Sequence, residues 1–340
     1  MPISLNGTNG IVFPDNSLQT AAASPYVLKN RIINGGFNIS QYNGTSSVTP
    51  TAVGYYIDRW YIDTFGGGFN SLTMQQLSAS PPTGYSNYLQ IASGSTTYTN
   101  INLSQSIETS NCYDLAGQTV TLSFWYKVPV NWTNQWVAYI SSNTSSNTKI
   151  NGGSSGTTAS TGLTLTNTTT WTKATLTYTI PSNAQTIGVL FSNGNNNLIN
   201  GAQFQITGVQ LEQNTTATPF ERRLYNQELA NCQRYYQQWN SASNVYTLLG
   251  CAAAVTTTLL FVRYQHLVSM RAVPSLSSTA FSTFATSYSR AAITAIALEP
   301  KSNIDSLINF TTNTASVIDK AFVVESNATT SAKVEFSAEL

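Results

Sequence analysis

Apolar and polar residues along this chain alternate, or cluster in short runs, between turn-forming clusters. Alternation with a period of two places every second side chain on one face of a strand. Runs of this kind at 54–64, 88–91, 119–128, 135–141, 172–180, 186–192 and 202–211 predict a first β-domain. A second set at 245–254, 256–264, 275–284, 291–297, 321–324 and 333–336 predicts another. Between them, Leu224, Leu229, Cys232 and Tyr235 or Tyr236 recur at near-helical spacing, so 220–239 reads as one helix, bounded by Pro219 and Asn240-Ser241. The Gly/Ser/Thr-rich stretch 143–161 reads as a long surface loop.

The first residues are different. Ile3, Leu5, Ile11, Val12, Phe13 and Leu18 are separated by Asn6-Gly7, Asn9-Gly10 and Pro14-Asp15, which suits short strands with tight turns. Such a segment cannot build a core of its own and needs copies of itself or another protein to pair with. The expected organisation is therefore mainly β: a docking or trimerisation arm over 1–28, a jelly-roll β-sandwich over 29–222, then a short connecting helix and a C-terminal β-sandwich over 223–340.

Composition narrows the function. Only 9% of the 340 residues are charged, against roughly a quarter in ordinary soluble domains. Fifteen basic and 14 acidic side chains leave a net charge of +1, which argues against a nucleic-acid partner or a polybasic membrane anchor. Abundant Asn, Thr, Ser, Gln and 18 Tyr supply polarity through hydroxyls and amides, groups that exchange hydrogen bonds with sugars at little desolvation cost. Cys112, Cys232 and Cys251 form no disulfide framework and read as small buried hydrophobes. Residues 1–20 lack the basic and apolar regions of a signal peptide. The longest apolar stretch, 248–262, is interrupted by Thr256, Thr257 and Thr258, so no membrane insertion is expected. Synthesis in a cytoplasm without a secretion signal follows as an expectation.

Several motifs in order resemble bacteriophage tail-fibre proteins. Residues 10–22, from Gly10 through Phe13, Asp15, Gln19 and Thr20 to Ala22, are similar to a segment near the start of those proteins where Asp-Gly-x-x-Gln-Thr is usual; Asn16 stands in place of the Gly. Residues 31–41, from Arg31 through Asn34 and Phe37 to Gln41, together with Asp58-Arg59-Trp60, resemble the opening of their jelly-roll module. Residues 115–127 and 207–212 resemble its later strands, and 228–236, 270–274 and 338–340 resemble the C-terminal region. The resemblance implies a virion fibre, commonly a homotrimer. Its jelly roll would be related to carbohydrate-binding modules, its arm would dock on a tail or baseplate protein, and its ligand would be a host cell-surface polysaccharide. Purely structural fibre proteins and polysaccharide depolymerases are the alternatives. Related modules often carry a structural Ca²⁺ between the first Asn-rich strand and an acid on the last. Here Thr207-Gly208 occupies the stretch where an Asp-Asn pair often appears, leaving neutral oxygens around Asn34, so no cofactor is expected.

Sugar binding needs aromatic platforms beside amides or carboxylates. Trp132 and Trp136, around the 131–135 turn, are the first candidates, ahead of Trp60, Trp125 and Trp171 in strands; Tyr85 and Tyr88 come next. Asp58-Arg59-Trp60 reads as a core Trp beside a structural Arg–Asp pair. No catalytic residue is assigned. His266 is the single His and reads as a surface or interface residue, and neither Asp58 with Asp63 nor Glu108 with Asp114 forms a supported acid pair. No metal ligand set is apparent either.

Overall fold

In the computed structural model the described residues are 4–6, 10–12, 18–19 and 29–340, apart from 65–68, 70, 95–99, 131, 133–134, 153–157, 195–199, 242–245, 279–283, 287–292, 301, 314–320 and 327–331. The first segment carries short antiparallel strands β1 (Ser4–Asn6), β2 (Gly10–Val12) and β3 (Leu18–Gln19), with Leu5 opposite Ile11 and Ile11 opposite Gln19. The expected turns Asn6-Gly7 and Pro14-Asp15 lie partly or wholly outside the described residues.

The next strands are β4 (Gly54–Ile57), β5 (Trp60–Thr64), β6 (Thr73–Leu77), β7 (Tyr88–Ala92), β8 (Ile101–Ile107), β9 (Thr119–Lys127), β10 (Val137–Asn143), β11 (Ala159–Thr164), β12 (Thr172–Thr179), β13 (Thr186–Ser192) and β14 (Gln203–Gln213). They make a sandwich of a six-stranded sheet, β11-β10-β13-β8-β5-β4, and a five-stranded sheet, β12-β9-β14-β7-β6. Neighbouring strands are antiparallel throughout. One apolar cluster fills the space between the sheets, including Trp60, Ile62, Leu89, Leu103, Leu122, Phe124, Val189, Phe191, Phe204 and Ile206.

The outer faces of the two sheets are treated differently. On the six-stranded sheet, alternation sends Asp63, Asn102, Ser104, Ser106 and Thr186 outward, yet all are buried. Residues 144–152 lie across them like a strap. The Ile150 amide donates to Ser106 Oγ at 2.8 Å, Thr148 N to Thr186 Oγ1 at 3.1 Å and Gly152 N to Asp63 Oδ2 at 3.2 Å. Lys149 Nζ sits 4.0 Å from the centre of the Tyr61 ring. The stretch read as a long surface loop is thus a cover followed by β11, because the polar face beneath needs hydrogen-bond partners once it leaves water.

Helix α1 (Tyr225–Gln233) is shorter than the pattern predicts. It buries Glu228 and Cys232 on one face, while Leu224 before it is 80% exposed. Tyr236 leaves the helix because its backbone pairs with Ser337 instead. The C-terminal strands are β15 (Tyr236–Asn240), β16 (Leu248–Ala254), β17 (Leu259–Gln265), β18 (Ser275–Ser278), β19 (Phe284–Thr286), β20 (Ile293–Pro300), β21 (Asp305–Thr312), β22 (Ala321–Ser326) and β23 (Lys333–Ser337). They form sheets β15-β23-β18 and β19-β22-β16-β17-β21-β20 around a second core containing Leu260, Val262, Ile308, Phe310, Val324, Val334 and Phe336.

Asp58-Arg59 is a hairpin turn rather than part of one continuous strand, with Arg59 at a φ of 70°. Trp60 is in the core as expected, but the Arg–Asp pair is not formed. Arg59 instead pairs with Glu339, both side chains being almost wholly buried. Its guanidinium lies 3.5 Å from the centre of the Tyr235 ring, and Nη2 donates to the Ser106 carbonyl at 2.8 Å. Asp58 accepts from the Gln41 amide at 2.6 Å and from the Gln41 side chain. Tyr42 stacks on Tyr236 at 3.7 Å, and Arg234 holds Glu108 through Nε at 3.0 Å. Tyr55 donates to the Leu340 carbonyl at 3.0 Å.

Two outcomes test this junction. Arg59→Met leaves Glu339 buried without its cation and should cost about 3–5 kcal/mol in urea unfolding, whereas Arg59→Met with Glu339→Met should recover most of that loss. Burial pushes the Asp58 carboxyl up from 3.8 to about 6, against the hydrogen bonds from Gln41, and raises Glu339 despite Arg59. Between pH 4 and 6 the folded chain holds a proton that the unfolded chain has released. The Asp58 contribution to stability should therefore fall as pH rises through that window. Melting curves should show a shallower decline for Asp58→Asn.

Candidate functional site

The outer face of the five-stranded sheet is covered at one end, where Thr121 Oγ1 donates to the Asn214 carbonyl at 2.8 Å and Thr218 N to Glu212 at 2.8 Å, whereas Trp125, Lys127, Lys173, Gln90 and Gln75 stay at least partly exposed. Because Val120, Leu122, Phe124 and Tyr126 point into the core, Thr121, Ser123, Trp125 and Lys127 of β9 point out. The same alternation puts Gln205 and Thr207 of β14, Tyr88 and Gln90 of β7, Gln75 of β6, and Lys173 and Thr175 of β12 on that face. Register aligns them in rows. Lys173 and Thr207 flank Trp125, while Lys127, Gln205, Gln90 and Gln75 follow one another across the strands. Trp171, just before β12, meets Tyr88 edge-on at 5.3 Å, and its indole donates to the Ser80 carbonyl at 2.9 Å.

Beside Trp125 an open cleft of about 500 Å³ is lined by Thr83, Tyr85, Lys173, Thr218, Phe220 and Arg222, among others. Tyr85 is set by a bulge in β14, where the register shifts between Thr207 and Gln210. Gly208 lies there at a φ of 65°, and a Cβ on it would meet the Tyr85 ring at 2.6 Å, so only glycine lets the ring lie flat on the strand. Phe220 packs on Tyr85 at 5.4 Å and the Arg222 guanidinium lies 5.2 Å from the Tyr85 ring centre. Burial raises the Tyr85 hydroxyl's pKa, opposed by the Arg222 charge and a hydrogen bond with Trp125; burial also raises that of Tyr88. The face thus joins the part-exposed rings of Trp125, Trp171, Tyr85 and Phe220, with Tyr88 buried among them, to amides, hydroxyls and ammonium groups, the donors and acceptors that a ring of hydroxyls can meet while its C–H surface stacks.

Of the residues singled out from sequence, Tyr85 and Tyr88 belong to this face. Trp132 and Trp136 do not. Both are buried in the sandwich core at right angles to each other, with Trp136 stacked on Phe204 at 4.1 Å. Their place beside a turn lies at the end of the sandwich, where large side chains close the core. Trp125 and Trp171 are the platforms that turn proximity misses. A strict period-two reading of 119–127 finds Trp125, since it shares a face with Thr121, Ser123 and Lys127.

His266 is buried between Tyr264 and Phe336 in the C-terminal core, not on a surface. One ring nitrogen lies 2.9 Å from Ser306 Oγ, and burial lowers its pKa. Cys112 and Cys232 are buried, but Cys251 is exposed, because it lies on the outer face of β16. The Asn34 side chain closes its own loop, accepting from Ile39 N at 3.0 Å and donating to the Ile39 carbonyl at 2.8 Å. Its backbone amide donates to Glu228.

The two sets of tryptophans should separate experimentally. Trp136→Ala should cost about 3–5 kcal/mol of stability, as for a fully packed aromatic, while Trp125→Ala and Trp171→Ala should each cost about 1 kcal/mol or less. Chemical denaturation followed by circular dichroism checks both.

No family model matches the chain, and no curated protein does. Solved structures do. The enzymatically active domain of tailspike protein 4 from bacteriophage CBA120 is 17% identical with a TM-score of 0.36, covering 54% of this chain and 21% of that one. The chain thus spans about a fifth of the length of that tailspike chain. A family 61 carbohydrate-binding module solved with β-1,4-galactotriose is 13% identical with a TM-score of 0.32, covering 55% and 100%. The family 11 carbohydrate-binding module of Clostridium thermocellum, solved with a β-1,3-1,4-mixed-linked tetrasaccharide, is 12% identical with a TM-score of 0.32, covering 47% and 91%.

Proposed function

We propose that the chain is a non-catalytic adhesin whose sandwich binds polysaccharide on the open face of the five-stranded sheet, within a bacteriophage tail fibre. One observation carries the binding reading. Trp125, Trp171, Tyr85 and Phe220, each part-exposed, gather with Gln75, Gln90 and Lys173 on the less covered face of the sandwich, with Tyr88 and Thr207 buried beside them, while the opposite face is strapped and buried. Aromatic residues set among amides on a polar sheet do nothing for the core, and their half-burial is the arrangement that stacks a sugar ring without unfolding anything. The non-catalytic part of the reading rests on chemistry, since among the described residues no carboxylate lines the cleft beside Trp125 and glycosidic cleavage needs two.

The fibre placement is supported by the ordered resemblance of 10–22, 31–41, 115–127, 207–212, 228–236 and 270–274 to tail-fibre proteins. On that reading the N-terminal arm docks on a tail or baseplate protein, and three copies present their faces together on the virion. Weak contacts at each open face then add through avidity.

Full-length protein should bind polysaccharide extracted from a susceptible host and delay phage adsorption to it. Trp125→Ala or Trp171→Ala should each weaken binding about tenfold, as an anchoring aromatic does. Retained binding in both variants removes this face as the site. Release of oligosaccharide from the bound polysaccharide would overturn the non-catalytic reading.

A further inference from the structure

Resting on that reading of the open face, we infer that the polysaccharide it takes is acidic, carrying carboxylate or phosphate groups along its chain. The basis is where the unpaired cations are. In the sandwich and its connecting helix, Arg31 pairs with Asp114, Arg59 with Glu339, Arg223 with Glu228 and Arg234 with Glu108. Lys149, itself in the strap, reaches down over Tyr61 with Asp63 nearby, and the Lys29 ammonium donates to Thr218 and the Pro219 carbonyl. Lys127, Lys173 and Arg222 are in no ion pair among the described residues. All three stand on one face, around the aromatic platforms.

Their placement fits a charged sugar polymer. Lys173 is directly opposite Trp125, and Lys127 is two residues along β9 from it. Their backbones are therefore diagonal neighbours roughly 7–8 Å apart, so both ammonium groups can reach one chain lying over Trp125 and Trp171. Lys127 Nζ is 5.9 Å from the centre of the Trp171 ring. Arg222, anchored to the Gly84 carbonyl, borders the far side of the cleft over Tyr85. The acids closest to that end are already committed. Glu221 accepts from the Lys29 and Asn30 amides, and Glu228 from Asn34 and Arg223. An anionic ligand thus meets three cations with no competing carboxylate among the described residues lining the cleft, and each contact becomes a charge-assisted hydrogen bond. A neutral glycan would accept weaker hydrogen bonds from them, without the charge pairing. Nucleic acid is the other polyanion with flat rings, but it rewards a broad basic stripe, and here three cations are interleaved with Thr and Gln in a chain of net charge +1.

The test is a binding panel with the full-length protein, at low and high salt. It contains bacterial capsular and O-antigen polysaccharides, each intact and after carboxyl reduction or dephosphorylation, with poly(dT) as a nucleic-acid probe. The expected result is binding to acidic members, weakened about tenfold when the acid groups are removed and weakened by salt. Lys127→Gln and Lys173→Gln should each lower affinity for the acidic form about three- to tenfold, and by more than they lower binding to the neutralised form, while leaving melting temperature unchanged. Equal binding of intact and neutralised polymers, or tight binding of a neutral one, overturns the acidic inference and leaves the glycan reading standing. No binding to any polysaccharide, or preference for poly(dT), overturns both.

Discussion

Arg59 sits at the tip of the β4–β5 hairpin, and the carboxylate it needs comes from Glu339, at the other end of the chain. Burying two charges costs several kcal/mol each unless their geometry and further hydrogen bonds return it. Here the Tyr235 ring, the Ser106 carbonyl and the pairing itself share that task. The Asp58 carboxylate beside it is satisfied by Gln41, and the Arg271 guanidinium holds the Ala338 carbonyl at 2.7 Å. A purely apolar contact could slide, but a buried ion pair with fixed partners has one register. The C-terminal strands are thereby held against the β4 edge of the six-stranded sheet. Among the described residues the five-stranded sheet takes no part in this junction, and its Trp125, Lys127 and Lys173 stay at least partly exposed.

Scarce charge makes the same point from another side. With 9% charged residues, the chain has few ions to spend on its surface. Those in the sandwich work mostly in its seams: Arg31 with Asp114 at one end, Arg234 with Glu108 under the helix, and Arg223 with Glu228 at the helix start. Surface cohesion is left to hydroxyls. Thr119 meets Thr179 at 3.0 Å and Thr121 meets Thr177 at 3.1 Å across β9 and β12, next to the aromatic rows. Threonine ladders keep a sheet face wet and non-sticky, so rings standing among them are conspicuous.

Local pattern and long-range contact divide what could be read beforehand. Alternation in 119–128, 172–180 and 186–192 marks strands that the fold contains, because one face of each must be apolar. β6, β8 and β21 escape that reading, since Gln75 and Gln76, Ser104 with Gln105 and Ser106, or Ser306 and Asn309 dilute the apolar signal, and β11 begins in the stretch read as a loop. The Arg59–Glu339 pair joins residues 280 apart, and no local rule reaches that far. The helix is over-read for a related reason: Tyr235 and Tyr236 keep helical spacing, but β23 competes for their backbone and wins. At the site, hydrophobic Trp132 and Trp136 near a turn look exposed because turns usually are, yet a sandwich needs plugs at its ends. Tyr85 and Tyr88 were visible as aromatics near Gly84, whereas their support by Gly208 and Trp171 arises only when β14 and β12 come alongside.

Shape sets the remaining limit on what the open face can do. The cleft beside Trp125 is shallow, and the rings around it are already half-covered by their neighbours, so one sugar unit lying there buries little surface. Affinity from so small a contact is offset by the freedom the ligand loses on binding. A face of this kind gains strength only if the ligand continues along the rows from Lys173 and Trp125 to Gln90 and Gln75, or if several faces engage one polymer. Both conditions describe a repeating chain rather than a free small sugar. The row of amides extending away from the tryptophans is then as much a part of the site as the rings, because it gives the next units of the polymer partners in register with the sheet.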